Sequence, residues 1–245
     1  NLLITKNSSV YKEHPEWLVR AYDKDEPALF THFELNSYLL DVTHPGAAQY
    51  LYDMMHMISH DWGYRYIKMD YMLGNMLNGR RHDPLASSVM AYRKMLSIIQ
   101  SAITEDTYYL NCTAPFSCSV GLVDGMRVSG DIFGSWRNLK IIFERVIKRY
   151  YMNRTMFNND ADCLIIRKTE QEDEWCGRAN TRNDMEIDTY IALMAASGGA
   201  LMLSDKMTLL TPEQIELISC LFPINTQAAV PLDFWENNLP GVLDF

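Results

Sequence analysis

The chain has 245 residues, 48% of them hydrophobic and 22% charged, which is enough for a large buried core of ordinary globular composition. A formal net charge of -9 excludes nucleic-acid binding through the phosphates, which needs a basic face, and suits a neutral substrate. Cys112, Cys118, Cys163, Cys176 and Cys220 form an odd set without a CxxC pair, the pattern of a reducing, cytoplasmic compartment rather than of a disulfide framework or thiolate zinc site. No apolar run reaches the roughly 18 residues of a membrane span. The opening Asn1-Leu2-Leu3-Ile4-Thr5 reads as the end of a strand, not as a signal peptide.

In chain order, five short apolar runs alternate with helical stretches, and that alternation predicts a parallel α/β architecture. The runs are residues 64–70, 107–111, 125–129, 155–158 and 200–204. Pro45, Pro84 and Pro212 each follow a residue able to start a helix, with Asp83 and Thr211 as the clearest N-caps. In the stretch 47–62, Met54, Met55, Met57 and Ile58 are expected to pack a helix against the sheet. His56 and His60 have the spacing of a zinc pair, but Met57 stands where the motif needs glutamate, so no metal is expected. Gly198-Gly199 fits a helix C-cap, and the polar stretch 170–184 a surface loop near the strands' C-terminal ends. Residues 1–227 thus read as one domain and 228–245, with Pro231 and Pro240, as an exit segment toward another module.

The polar residues that terminate the apolar runs are the candidates for chemistry, because a barrel places its site at the C-terminal ends of its strands. They are Lys68 and Asp70; Asn111 and Cys112; Arg127 and Asp131; and Asn158, Asn159, Asp160 and Asp162. Two carboxylates from different strands, each near a cation, suit acetal cleavage, in which one attacks and the other donates a proton. Lys68 would hold Asp70 ionised through opposite charge. Salt bridges closing a barrel rim would use the same residue types, and spacing alone leaves both readings open.

Four blocks carry a resemblance: Tyr66-Ile67-Lys68-Met69-Asp70; Asn111-Cys112-Thr113-Ala114-Pro115 running on to Val123-Asp124-Gly125-Met126-Arg127-Val128-Ser129-Gly130-Asp131; Asn159-Asp160-Ala161-Asp162-Cys163-Leu164; and Ser197-Gly198-Gly199 through Leu203-Ser204-Asp205. His14-Pro15-Glu16-Trp17, Leu40-Asp41-Val42-Thr43 and Pro231-Leu232-Asp233 flank them. In this order they resemble glycoside hydrolase family 36, the bacterial-type α-galactosidases. The resemblance implies a (β/α)8 TIM barrel, here incomplete, running from the end of strand 3 through strand 8, and a C-terminal β-domain beyond residues 228–245.

It further implies that Asp70 is the nucleophile and Asp131 the general acid/base of a retaining hydrolase. Lys68 and Arg127 would bond sugar hydroxyls, Cys112 would lie beside the sugar, and Trp136 would shape the pocket wall. Asn111 and Thr113 replace frequent glycines near sugar carbon 2, which alters that part of the pocket. Asp160 and Asp162 are expected to tie strand ends and loops, and Arg127 to enter the pocket without neutralising Asp131. The groups that grip the 4- and 6-hydroxyls, a tryptophan and a pair of aspartates in the family, belong to strands without counterparts here. The partner implied is a small-molecule α-galactoside, with neither metal nor organic cofactor, no nucleic acid and no membrane, in a monomer or homo-oligomer. Alternatives are an α-N-acetylgalactosaminidase or galactosyl transferase of the same family, and a non-catalytic carbohydrate-binding barrel remnant.

Overall fold

The computed structural model describes residues 2–32, 35–133, 135–167 and 182–245. Most of the expected loop 170–184, and Cys176 with it, lies outside them. By their internal contacts the residues divide into two compact units, 1–126 and 127–245.

In the first unit, β1 (Leu3–Ile4) is followed by a short helix α1 (Ser9–Glu13), then β2 (Leu29–His32) and β3 (Leu35–Leu39). These strands form an antiparallel sheet in the order β1-β3-β2. The N-terminal stub is therefore a strand, as its sequence reads, but its partner is antiparallel. Helix α2 (Pro45–His56) has Pro45 in its first turn and buries Ala47, Leu51 and Met55, a stripe spaced by four residues. Strand β4 (Tyr66–Met69), helix α3 (Ser88–Ala102), strand β5 (Tyr108–Asn111), the single-turn helix α4 (Phe116–Ser119) and strand β6 (Gly125–Arg127) follow. β4, β5 and β6 pair parallel in that order. Ile67 and Met69 share a core with Leu51, Met55, Met95, Leu96 and Ile99. The expected helix packing is observed, although Met57 itself is exposed. Asp83 instead makes a turn, accepting from the Leu85 N–H, and Ser87 caps α3 by accepting from Met90 N. The start of α3 is thus four residues later than Pro84 suggests.

In the second unit, helix α5 (Trp136–Lys148) buries Leu139, Ile142, Phe143, Val146 and Ile147, the 3–4 spacing of one helical face. It leads to β7 (Asn158–Leu164), helix α6 (Asp184–Ser197) and β8 (Ala200–Leu203), with β7 and β8 parallel. β7 begins where the sequence predicts it to end. Its polar start hides the strand because the buried Asn159 and Asp160 find partners, the Arg149 carbonyl and Arg127, while Asn158 is exposed. Helix α6 opens with a capping box between Asn183 and Glu186. It ends on Gly198, whose φ of +63° suits glycine at the C-cap. At Gly199 a Cβ would lie 2.0 Å from the Asn159 carbonyl oxygen, so the expected helix end also allows β8 to approach β7 closely. Helix α7 (Pro212–Ser219) has the predicted Thr211 cap, completed by Gln214. Residues 228–245 include the antiparallel pair β9 (Val230–Pro231) and β10 (Leu243–Asp244), which Asp233 braces by accepting from Gly241 N and Val242 N. The parallel strands β4-β5-β6 of the first unit and β7-β8 of the second, each alternating with helices, have the pattern of an incomplete (β/α)8 barrel.

Candidate active site

Asp70 follows the last residue of β4 and is half-buried. Its Oδ1 accepts from the Tyr71 N–H at 2.7 Å and from the Thr113 hydroxyl at 2.9 Å. Burial pushes this carboxyl up. The Cys112 thiol, the Tyr71 N–H, the Thr113 hydroxyl and the Lys68 charge together outweigh burial and hold it below the ordinary carboxylate range. Lys68 acts in the direction the sequence suggests, yet it is the smallest of these four influences. The donors reach Asp70 because two loops are tied together: Met72 N donates to the Cys112 carbonyl and Leu73 N to the Thr113 carbonyl, the latter at 2.6 Å.

Asn111 does not belong to this group. It is fully buried, and its amide donates to Tyr92 Oη, which in turn pairs with Ser119 Oγ. The expectation that Asn111 meets sugar is corrected: as the last residue of β5 it turns into the helix-packed core, whereas Thr113, two residues on, is exposed beside Asp70.

In the second unit Arg127 is buried and divides its guanidinium among three carboxylates. Nε donates to Asp160 Oδ2 at 2.9 Å, Nη1 to Asp131 Oδ1 at 3.0 Å and Nη2 to Asp162 Oδ1 at 2.6 Å. The expectation that Arg127 leaves Asp131 unpaired is corrected. The contact is a single bond rather than a bidentate bridge, because the other donors of the planar fork are directed to β7. Asp131 itself has a side chain 66% exposed, against 3% for Asp160.

Asp160 and Asp162 serve strand ends, as expected: Asp160 Oδ1 accepts from Asp162 N, and Asp162 Oδ2 from Ile132 N, one residue beyond Asp131. A register shift between Asp160 and Cys163, with φ of +78° at Asp162, re-aims that carboxylate toward Arg127. Burial pushes the Asp162 carboxyl up despite Arg127. Trp136 is the first residue of α5, half-buried after the Ser135 cap. Asp205, beyond β8, accepts from Ile166 N at 2.7 Å and pairs with Arg167 at 3.0 Å. Its place in the last motif is the only sequence signal for that role.

Three of the four non-glycine residues at positive φ among the described residues donate to these carboxylates: Tyr71 and Thr113 to Asp70, and the Asp162 N–H to Asp160. Backbone held in a disfavoured region gathers where geometry is over-determined by function. Carboxylates thus follow parallel strands, at the strand ends where a barrel fold places its site. The family described as Melibiase matches residues 2–128, and the chain belongs to that family.

Among solved structures, an α-galactosidase from Thermus thermophilus in complex with stachyose is 23% identical, with a TM-score of 0.72 over 90% of this chain and 48% of that one. Its complex with p-nitrophenyl α-D-galactopyranoside gives 24% identity and a TM-score of 0.71 over 89% and 45%. A family 27 β-L-arabinopyranosidase from Geobacillus stearothermophilus is 16% identical, with a TM-score of 0.61 over 82% and 45%. These likenesses establish the shared fold. The chain spans about half the length of each.

Proposed function

We propose that this chain carries the catalytic carboxyl groups of a retaining α-galactosidase that cleaves terminal α-galactosyl residues from oligosaccharides of the stachyose type. The observation that carries the reading is Asp70, a strand-end carboxylate kept ionised by convergent donors and so fit to attack. In the first step an Asp70 oxygen bonds the anomeric carbon while the glycosidic C–O bond breaks, and Asp131 gives its proton to the departing oxygen. In the second, Asp131 as carboxylate takes a proton from water, whose oxygen bonds the anomeric carbon as the bond to Asp70 breaks. Two inversions give net retention. This route needs the two carboxyl groups about 5–5.5 Å apart, whereas inversion needs about 6.5–9.5 Å.

In this reading Lys68 and Cys112 border the sugar at Asp70, Trp136 forms a wall near Asp131, and Arg127 orients the acid. No metal or organic cofactor takes part. Residues 228–245 lead toward a C-terminal β-domain. No described helix is long and apolar enough to cross a membrane. The odd set of cysteines without a CxxC pair supports work in the cytoplasm. The exposed, β-branched Thr113 beside Asp70 favours a plain hydroxyl over an acetamido group at sugar carbon 2.

The test is a leaving-group series on the intact protein. Asp70→Asn should abolish turnover of every α-galactoside, while Asp131→Asn should spare the first step most when the leaving group needs no proton. Parallel losses across the series would contradict the roles. Faster cleavage of nitrophenyl α-N-acetylgalactosaminide than of nitrophenyl α-galactoside would move the substrate class.

A further inference from the structure

Two residues at positive φ in the first unit, Tyr71 and Thr113, share one target. Tyr71 has φ of +55° and ψ of +32°, and its N–H donates to Asp70 Oδ1 at 2.7 Å. Thr113 has φ of +47°, and its hydroxyl donates to the same oxygen at 2.9 Å. A β-branched residue at positive φ is strained, since its Cβ crowds the backbone. Nothing in a loop of this kind requires threonine: glycine would take the same φ without cost. What threonine adds is a hydroxyl, and that hydroxyl is spent on Asp70. The strained backbone is clamped by the Leu73 N–H bonding the Thr113 carbonyl at 2.6 Å, so the hydroxyl cannot drift far from its acceptor.

We propose that Thr113 is a positioning residue which, with the Tyr71 N–H, fixes Oδ1 of Asp70 as the oxygen that does not attack and presents Oδ2 to the anomeric carbon. The inference rests on Asp70 being the nucleophile. Two lone-pair sites on Oδ1 are filled by in-place donors, which stops rotation of the carboxylate and withdraws density from that oxygen. Cys112 also bonds this carboxyl, through the weaker S–H donor. In the step itself the Oδ2–carbon bond forms as the glycosidic bond breaks, with the proton passing from Asp131 to the leaving oxygen. Oδ1 keeps its two hydrogen bonds and becomes the carbonyl oxygen of the glycosyl ester. When the ester is cleaved by water, the electron pair of the Oδ2–carbon bond returns to Asp70, which is again delocalised over a carboxylate already in position. Preorganised donors of this kind require no rearrangement during the reaction.

Three variants separate this from a structural role. Thr113→Val keeps the branched shape and loses only the hydroxyl, Thr113→Ser keeps the hydroxyl, and Thr113→Gly loses the hydroxyl but relieves the positive φ. In the intact protein, with a poor leaving group so that the first step limits the rate, Thr113→Val should lower kcat by about 10-fold with little change in KM. Its acid limb of kcat/KM should move to higher pH, because a donor that holds the carboxyl down has been removed. Thr113→Ser should stay within about 3-fold of the parent and keep its acid limb. Thr113→Gly should match Thr113→Val in kcat although it melts at a higher temperature than Thr113→Val, so that loss of rate does not follow loss of stability. An unchanged kcat and acid limb in Thr113→Val, or full activity in Thr113→Gly, overturns the proposal. A fluorinated, activated galactosyl reagent distinguishes the two levels of the argument. Mass spectrometry of the trapped ester should find the label on Asp70. A label on another residue removes the nucleophile reading and this inference together, whereas a label on Asp70 with indifferent Thr113 variants removes this inference alone.

Discussion

The surroundings of Asp70 and of Asp131 differ in kind, although both residues follow parallel strands of one sheet order. Asp70 is served by several neutral donors and a flanking lysine, each of modest strength, supplied by the two loops after β4 and β5. Asp131 depends on one buried arginine that it shares with Asp160 and Asp162. The first arrangement degrades gradually when one member is lost. The second is concentrated, since removing one cation leaves three carboxylates, one of them 2% exposed. The nucleophile proposed at Asp70 needs a stable negative charge, which dispersed donors provide. A group that must hold and release a proton is better positioned through a charge divided among several acceptors.

The largest effect should therefore come from breaking the concentrated half. Arg127→Met removes the charge and leaves Asp160 buried without its cation, and we expect a loss of about 3–5 kcal/mol of stability together with nearly all activity. Chemical denaturation of the parent and variant measures it; a loss under about 1 kcal/mol would show that the carboxylates rearrange freely. Gly199→Ala follows in size, because the new Cβ would collide with the Asn159 carbonyl and push β8 from β7, costing about 1–3 kcal/mol. A thermal midpoint unchanged from the parent would refute the close approach.

On the dispersed side, Cys112→Ala should act mainly on titration. The Asp70 carboxyl lies below its ordinary value, so its ionised form is present above the usual aspartate range near about 3.9 and is lost as pH falls through the depressed value. Removing the thiol should raise the acid limb of kcat/KM, with fold and KM largely kept. A limb that stays in place would assign the depression to the other donors.

The smallest effect concerns Asp162, whose carboxyl is pushed up by burial. Its contribution to stability is fully present below the unfolded value, near about 3.9, and is lost as pH rises through the higher folded value. Asp162→Asn should flatten stability against pH across that window. An identical pH slope in parent and variant would mean that Arg127 compensates the charge completely.

The same contrast explains what the sequence discloses. Strands β4, β5, β6 and β8 are legible because their bodies are apolar and their ends polar. β7 is displaced in the sequence reading because Asn159, Asp160 and Asp162 look like a loop until Arg127, more than 30 residues earlier, is known to meet the two aspartates. The candidates Asp70, Asp131, Lys68, Arg127 and Cys112 are nameable from motif order. The partition of the Arg127 donors is not, since it depends on the β7 bulge and the positive φ of Asp162. Asn111 misleads for a local reason: it ends a strand, like the candidate site residues, but its amide meets Tyr92 from α3. Thr113 is visible only as a departure from glycine, and the φ that makes its hydroxyl useful is a property of the folded loop.

The account turns on attack by Asp70 with net retention at the anomeric carbon, and proton NMR of the sugar first released tests it most directly. The intact protein is mixed with an α-galactoside, and the anomeric signals are followed from the first minutes, before mutarotation equilibrates them. The account predicts that the α-anomer of galactose appears first and the β-anomer grows in later. Initial release of the β-anomer would mean single displacement by water, and would contradict the assignment of Asp70 as nucleophile.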